Sequence, residues 1–186
     1  GVAKTVYMEV DVAPEQRLAE VDFVSKLCAR EDNPMAGAVI SGSPNDAGFA
    51  DYMARFSDSA YIKGVRQVLH VPDAVRGACV EPRFVEGMHL LGSMGKCFDL
   101  CMRPSELGDA VALVEQCPDT LFIVDHCGNA DPQVVSGDVE PDFENPFSHD
   151  RQQWMDDMQV LGAHANVVCK LSGIVARAPQ GWTAET

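Results

Sequence analysis

"CFDLCMR", residues Cys97–Arg103, is the stretch whose reading decides the fold. Phe98, Leu100 and Met102 alternate with Asp99, Cys101 and Arg103, so an extended chain places the apolar set on one face and the polar set on the other. A central strand of an open sheet with helices on both sides reads instead as a continuous apolar run. Alternation with charged residues on one face suits a (β/α)8 barrel. There the outer face meets helices, and the inner face takes polar groups toward the C-terminal mouth, where active sites are built.

The same pattern recurs on either side. TVYMEVD (Thr5–Asp11) sets Val6, Met8 and Val10 against Tyr7, Glu9 and Asp11, and NVVCKLS (Asn166–Ser172) sets Val167, Cys169 and Leu171 against Lys170 and Ser172. Ala36–Ser41, Ile62–Leu69 and Thr120–His126 are further strand-like runs. Amphipathic helical segments separate them. One follows Pro14 and carries Leu18, Val21, Val24 and Leu27, while another carries Phe49, Tyr52, Met53 and Phe56. Pro82 opens a third with Phe84, Met88 and Leu91, Ser105 is placed to cap a fourth with Leu107, Val111 and Val114, and a fifth carries Trp154, Met158 and Leu161.

Strand starts recur at roughly 25 to 45 residues, the length of a βα unit. The expected fold is therefore α/β: a TIM barrel, incomplete, with about six βα units and the first and last strands missing, since eight units need about 250 residues. Residues 1–186 form a single domain in this reading, cut at both ends, with 182–186 resembling a helix opening. Exposed edges on an unclosed sheet would favour self-association, including a homo-oligomer.

Composition narrows the function. The 186 residues carry 28 acidic and 14 basic side chains, a formal charge of −14, which argues against nucleic acid and anionic lipid as partners. No run approaches the ~18 apolar residues of a membrane span, and no secretory pattern opens the chain, so a cytoplasmic protein acting on a small molecule is expected. Seven cysteines without a Cys-x-x-Cys pair read as reduced thiols rather than a disulfide framework or zinc ribbon. Glycine-rich nucleotide loops and a Gly-x-Ser-x-Gly elbow are absent.

Four residues are candidates for chemistry. TLFIVDHCGNADP (Thr120–Pro132) ends an apolar strand on Asp125 and His126, which puts an imidazole at the mouth, able to ligate metal, polarise a carbonyl or move a proton. Asp125, of opposite parity, reads as a structural hold on the neighbouring loop, and Leu121 and Ile123 as helix-facing core. Glu9 sits near the end of the first strand, where a carboxylate must be paired, metal-bound or wet. Arg66 and Lys170 lie on strands and want anionic partners, either from substrate or as internal salt bridges to Asp99 or Glu9. Lys170 could also form a Schiff base if its pKa were lowered. Cys127 is a weaker nucleophile candidate. His70, His89, His149 and His164 read as structural or solvated.

Taken in order, YMEVDVAP, YIKGVRQVLH, FDLCMRP, TLFIVDHCGNADP and NVVCKLSGI resemble the amidohydrolase-related (amidohydrolase 2) family of TIM-barrel hydrolases, which contains lactonases of sugar acids and pyrone dicarboxylates. The resemblance implies a hydrolytic site at the barrel mouth, commonly with one divalent metal, zinc being expected. It implies that His126, the expected catalytic residue, contacts metal or substrate, that Glu9 could complete a metal shell, and that Arg66 holds a substrate carboxylate; Lys170, from its place on its own strand, is the second expected substrate contact. The family's first-strand His-x-His and last-strand Asp have no counterpart here. Hydrolysis of a lactone or related ester is the leading expectation; decarboxylation on the same scaffold, a Schiff-base aldolase, and a non-catalytic fragment are the alternatives.

Overall fold

The computed structural model describes residues 1–142, 144–145, 147–178 and 180–183. Six strands, β1 (Thr5–Met8), β2 (Met35–Ser41), β3 (Ile62–Val68), β4 (Cys97–Cys101), β5 (Phe122–Val124) and β6 (Val167–Cys169), form one curled sheet. Every neighbouring pair is parallel, and the strand order in space is the order in sequence. This is the partial TIM barrel that the alternating strands predict.

Helices return the chain between strands: α1 (Arg17–Cys28), α2 (Phe49–Ala54), α3 (Pro82–Ser93) and α4 (Leu107–Gln116), with a further helix over Arg151–Ala163 before β6. Their apolar stripes meet the outer face of the sheet. Phe98 and Leu100 of β4 are fully buried there with Phe84, Met88 and Leu91 of α3 and Leu113 of α4. The Phe84 and Phe98 rings cross edge-on at 85° with centroids 5.4 Å apart, and burying each ring contributes about 2–3 kcal/mol. Asp150 caps the Arg151–Ala163 helix by accepting from Gln153 N at 2.8 Å. Ser105 caps nothing. It lies in a 3-10 turn ahead of α4, and its hydroxyl accepts from Arg76 Nη1 at 3.4 Å.

Two strands face the other way from the expectation. In β1 it is Tyr7 that turns to the helices, its hydroxyl donating to Glu20 Oε1 of α1 at 2.9 Å, while Val6 is 58% exposed. In β5 Phe122 and Val124 enter the core, whereas Leu121 is exposed and Ile123 only half-buried. Both stretches have an apolar residue on each face, so alternation alone carries no sign of which face is inner. β5 also stops at Val124, leaving Asp125 and His126 just past its tip. The irregular stretch after it contains a short helix, Pro132–Ser136, capped by Asp131. Trp182 and Thr183 are not helical, and the rest of the expected helix opening, 184–186, lies outside the described residues. Among the described residues, no helix is long and apolar enough to cross a membrane.

Candidate active site

The C-terminal strand ends bring five ionisable side chains together. Glu9 follows β1, Arg66 and Asp99 are register partners on β3 and β4, Asp125 follows β5, and Lys170 follows β6. Arg66 Nε donates to Glu9 Oε1 at 2.6 Å, its Nη2 to the Glu9 carbonyl at 2.7 Å, and its Nη1 to Asp125 Oδ2 at 3.2 Å. Lys170 Nζ donates to Asp99 Oδ2 and stands 2.7 Å from Asp125 Oδ1, an ion contact rather than an aligned hydrogen bond. Asp125 therefore bridges the two cations. It is more than a hold on its own loop.

Glu9, Asp99 and Asp125 are all essentially inaccessible to solvent, so their charges persist only because they are paired. Three carboxylates face two cations, which leaves one excess negative charge when all are ionised. Burial raises the Asp99 pKa to about 6 against the opposing pull of Lys170. Burial acts to lower the Lys170 pKa, but Asp125 and Asp99 outweigh it and hold the ammonium charged. A lysine kept protonated is no nucleophile, which removes the support for Schiff-base chemistry.

His126 is positioned by an unusual backbone. His126, Cys127, Gly128 and Asn129 all have positive φ, from 52° to 70°, so one left-handed turn follows the tip of β5. A non-glycine residue there costs about 1–2 kcal/mol, asparagine less. Surrounding contacts offset this strain. Cys127 N donates to the Lys170 carbonyl (3.1 Å), Gly128 N to the Asp125 carbonyl (2.9 Å), Trp154 Nε1 to the Cys127 carbonyl (3.1 Å), and Asn129 Nδ2 to the Met102 carbonyl (2.9 Å). Arg177 Nη1 donates to the Asn129 carbonyl at 2.9 Å and its guanidinium stacks 4.1 Å over Phe147. Strain maintained this way is typical of functional sites.

The turn presents a half-buried imidazole whose Nδ1 lies 2.8 Å from Ser172 Oγ. Among the described residues, nothing else hydrogen-bonds the ring. Gly173 packs directly on it. If the ring's Nδ1 carries the proton toward Ser172, Nε2 is left with a free lone pair. His149, by contrast, is buried and structural: its Nε2 accepts from Asp131 N at 3.0 Å.

Of the four candidates, the structure joins Arg66 to Glu9 and, through Asp125, to Lys170. His126 is joined to Ser172 instead. Both Glu9 oxygens are engaged, Oε1 by Arg66 and Oε2 by Asp11 N at 2.6 Å. Among the described residues, no three His, Cys, Asp or Glu side chains converge as a metal shell. Glu9 and His126, the expected metal contacts, are joined to Arg66 and to Ser172 rather than to each other. Ser172 and Gly173 enter the sequence reading only within the NVVCKLSGI run that carries the family resemblance, with no role of their own, and for the left-handed turn Gly128-Asn129, the two residue types that best tolerate positive φ, is the available signal.

The amidohydrolase family model (Amidohydro_2) matches residues 2–186. No curated protein matches the chain. An amidohydrolase from Burkholderia multivorans, solved with bound HEPES, superposes with a TM-score of 0.77 at 20% identity over 98% of this chain. A second crystal form of a Burkholderia multivorans amidohydrolase, with bound zinc, gives 0.75 at 20% identity over 98% of this chain and 58% of that one. A probable 2-pyrone-4,6-dicarboxylic acid hydrolase from Acinetobacter baumannii, with citric acid bound, gives 0.58 at 12% identity, covering 90% of this chain and 67% of that one. At these identities the likeness shows a shared fold. The chain spans 59% of the length of the first of these structures.

Proposed function

The chain belongs to the amidohydrolase family, and from that premise we propose that it supplies the mouth of a hydrolytic site for a lactone or related carboxylic ester of a small carboxylated or sugar-derived substrate. The observation that carries the reading is the left-handed turn, which holds His126 past the tip of β5 with Nδ1 engaged by Ser172. Nε2 is then the proton acceptor for an attacking water, and later the donor to the leaving alkoxide.

Lys170 has three N–H donors, one given to Asp99, with Asp125 as a second ionic neighbour, and its side chain is 32% exposed. A remaining N–H serves a substrate carbonyl or hydroxyl. Arg66, 13% exposed and spent on Glu9 and Asp125, is better assigned to fixing Asp125 than to holding a substrate carboxylate. The zinc-bound relative supports a divalent metal in the whole enzyme. Among the described residues no three His, Cys, Asp or Glu side chains converge, so this chain's donors do not by themselves make a complete shell. Proton transfer is assigned to His126 on the strength of its contact with Ser172.

Seven unpaired thiols support a reducing, cytoplasmic setting, and exposed Val6 and Val168 on the sheet support self-association. The test is acid release from a panel of sugar-acid lactones by the full protein and by His126→Asn. Asparagine tolerates the 52° φ, so the variant keeps the fold. Turnover falls by about 10²–10⁴ if His126 moves the proton. Unchanged turnover removes His126 from the scheme, and carbon dioxide release in place of simple acid release reassigns the site to decarboxylation.

A further inference from the structure

Five of the seven cysteines, Cys28, Cys79, Cys97, Cys101 and Cys117, are buried, which leaves half-buried Cys127 and exposed Cys169 as the accessible thiols. These two are neighbours. Cys127 Sγ lies 3.6 Å from the Lys170 carbonyl oxygen and Cys169 Sγ lies 3.7 Å from the same atom. The backbone amide of Cys127 donates to that carbonyl as well, at 3.1 Å, pinning the left-handed turn to the end of β6. The Cys127 thiol is also close enough to bear on the titration of the Cys169 thiol. Two thiols converging on one oxygen, on segments already tied by a backbone hydrogen bond, need little movement to bond to each other.

We propose that Cys127 and Cys169 form a site of reversible oxidation by a hydroperoxide, closing to a disulfide that fastens the His126 turn to β6. In the first step one thiolate sulfur attacks a peroxide oxygen; the O–O bond breaks, the sulfur becomes a sulfenic acid, and the departing oxygen leaves as water or an alcohol. In the second step the other thiol sulfur attacks the sulfenic sulfur, the S–O bond breaks, and the hydroxyl leaves as water with the thiol proton. Two thiols are oxidised by two electrons and one peroxide is reduced. A dithiol reverses the change. The attacking sulfur reacts as its thiolate, so the reaction quickens as pH rises above neutral. The site adjoins His126 in sequence but does not depend on the hydrolytic reading.

The test treats the full chain with hydrogen peroxide at mildly alkaline pH, then counts titratable thiols under denaturing conditions and maps disulfide-linked peptides by mass. The expected result is loss of two thiols, a mass decrease of two hydrogens, a Cys127–Cys169 link, and recovery with dithiothreitol. Cys169→Ser alters only an exposed side chain, so the protein stays folded while the link fails to form. A link between other cysteines, or separate sulfinic acids with no link, overturns the proposal.

Discussion

Gly173 lies flat against the His126 imidazole: a Cβ added to it would stand 2.6 Å from both Cγ and Nδ1 of the ring. Its φ of 71° independently favours glycine. Gly173→Ala must push the ring away from Ser172, at an expected cost of about 1–2 kcal/mol in stability for the backbone alone. Hydrolysis should fall at least ten-fold, which kcat/KM and thermal melting measured side by side will check.

Ser172→Ala separates position from stability. Ser172 is exposed, so removing its hydroxyl should shift the melting free energy by no more than about 0.5 kcal/mol. The ring loses the partner that fixes its tautomer, and kcat should drop about ten-fold or more, as loss of an outer partner of a functional histidine does. Ser172→Thr should restore it. Nitrogen chemical shifts of the His126 ring, which distinguish the tautomers, should change in the alanine variant and return in the threonine one.

Arg66→Met should be the most damaging change in the ion network. It strips the partner from buried Glu9 and half of the pairing from buried Asp125, for an expected loss of about 3–5 kcal/mol. Denaturant unfolding measures this directly. A loss under about 1 kcal/mol would mean that Arg66 is not the anchor of the network.

Asp99 should leave its mark on the pH dependence of stability. Its pKa rises from 3.8 when unfolded to about 6 when folded, so the folded state binds the proton more tightly between those values. The contribution is complete below about pH 4 and is lost as pH rises through about 6, on the order of 3 kcal/mol. Asp99→Asn should flatten that part of the curve. An unaltered slope between pH 4 and 6 would assign it to other groups.

The order of elements and the family were legible because they rest on local signals: apolar periodicity, Pro14 and Pro82 at helix starts, and runs such as CFDLCMR with one clean polar face. The face of β5 was not legible, since Leu121 through Val124 are all apolar and nothing local marks Phe122 and Val124 as the inner pair of the core. Glu9, Arg66 and Lys170 were visible as charges that need partners, and the internal ion-pair alternative is the one the structure realises. Asp125 was misjudged because its importance comes from two partners far away in sequence, Arg66 and Lys170. The left-handed turn depends on contacts from Trp154, Met102 and Arg177, none of which is near it in sequence.

Because each strand pairs with the strand before it, the sheet can be assembled in the order in which the ribosome makes it. A nascent β3 finds β2 already waiting, and each of β2 to β6 pairs with the strand made just before it. Such a topology keeps loop-closure costs small at every step and limits the time that any growing edge spends uncovered. The ion cluster is the exception. Glu9 precedes Arg66 in the chain and Asp125 and Lys170 follow it, so Arg66 has Glu9 alone as a carboxylate partner until Asp125 emerges after β5. Vectorial synthesis would therefore lay down β1 to β4 before the ion cluster of the mouth is complete.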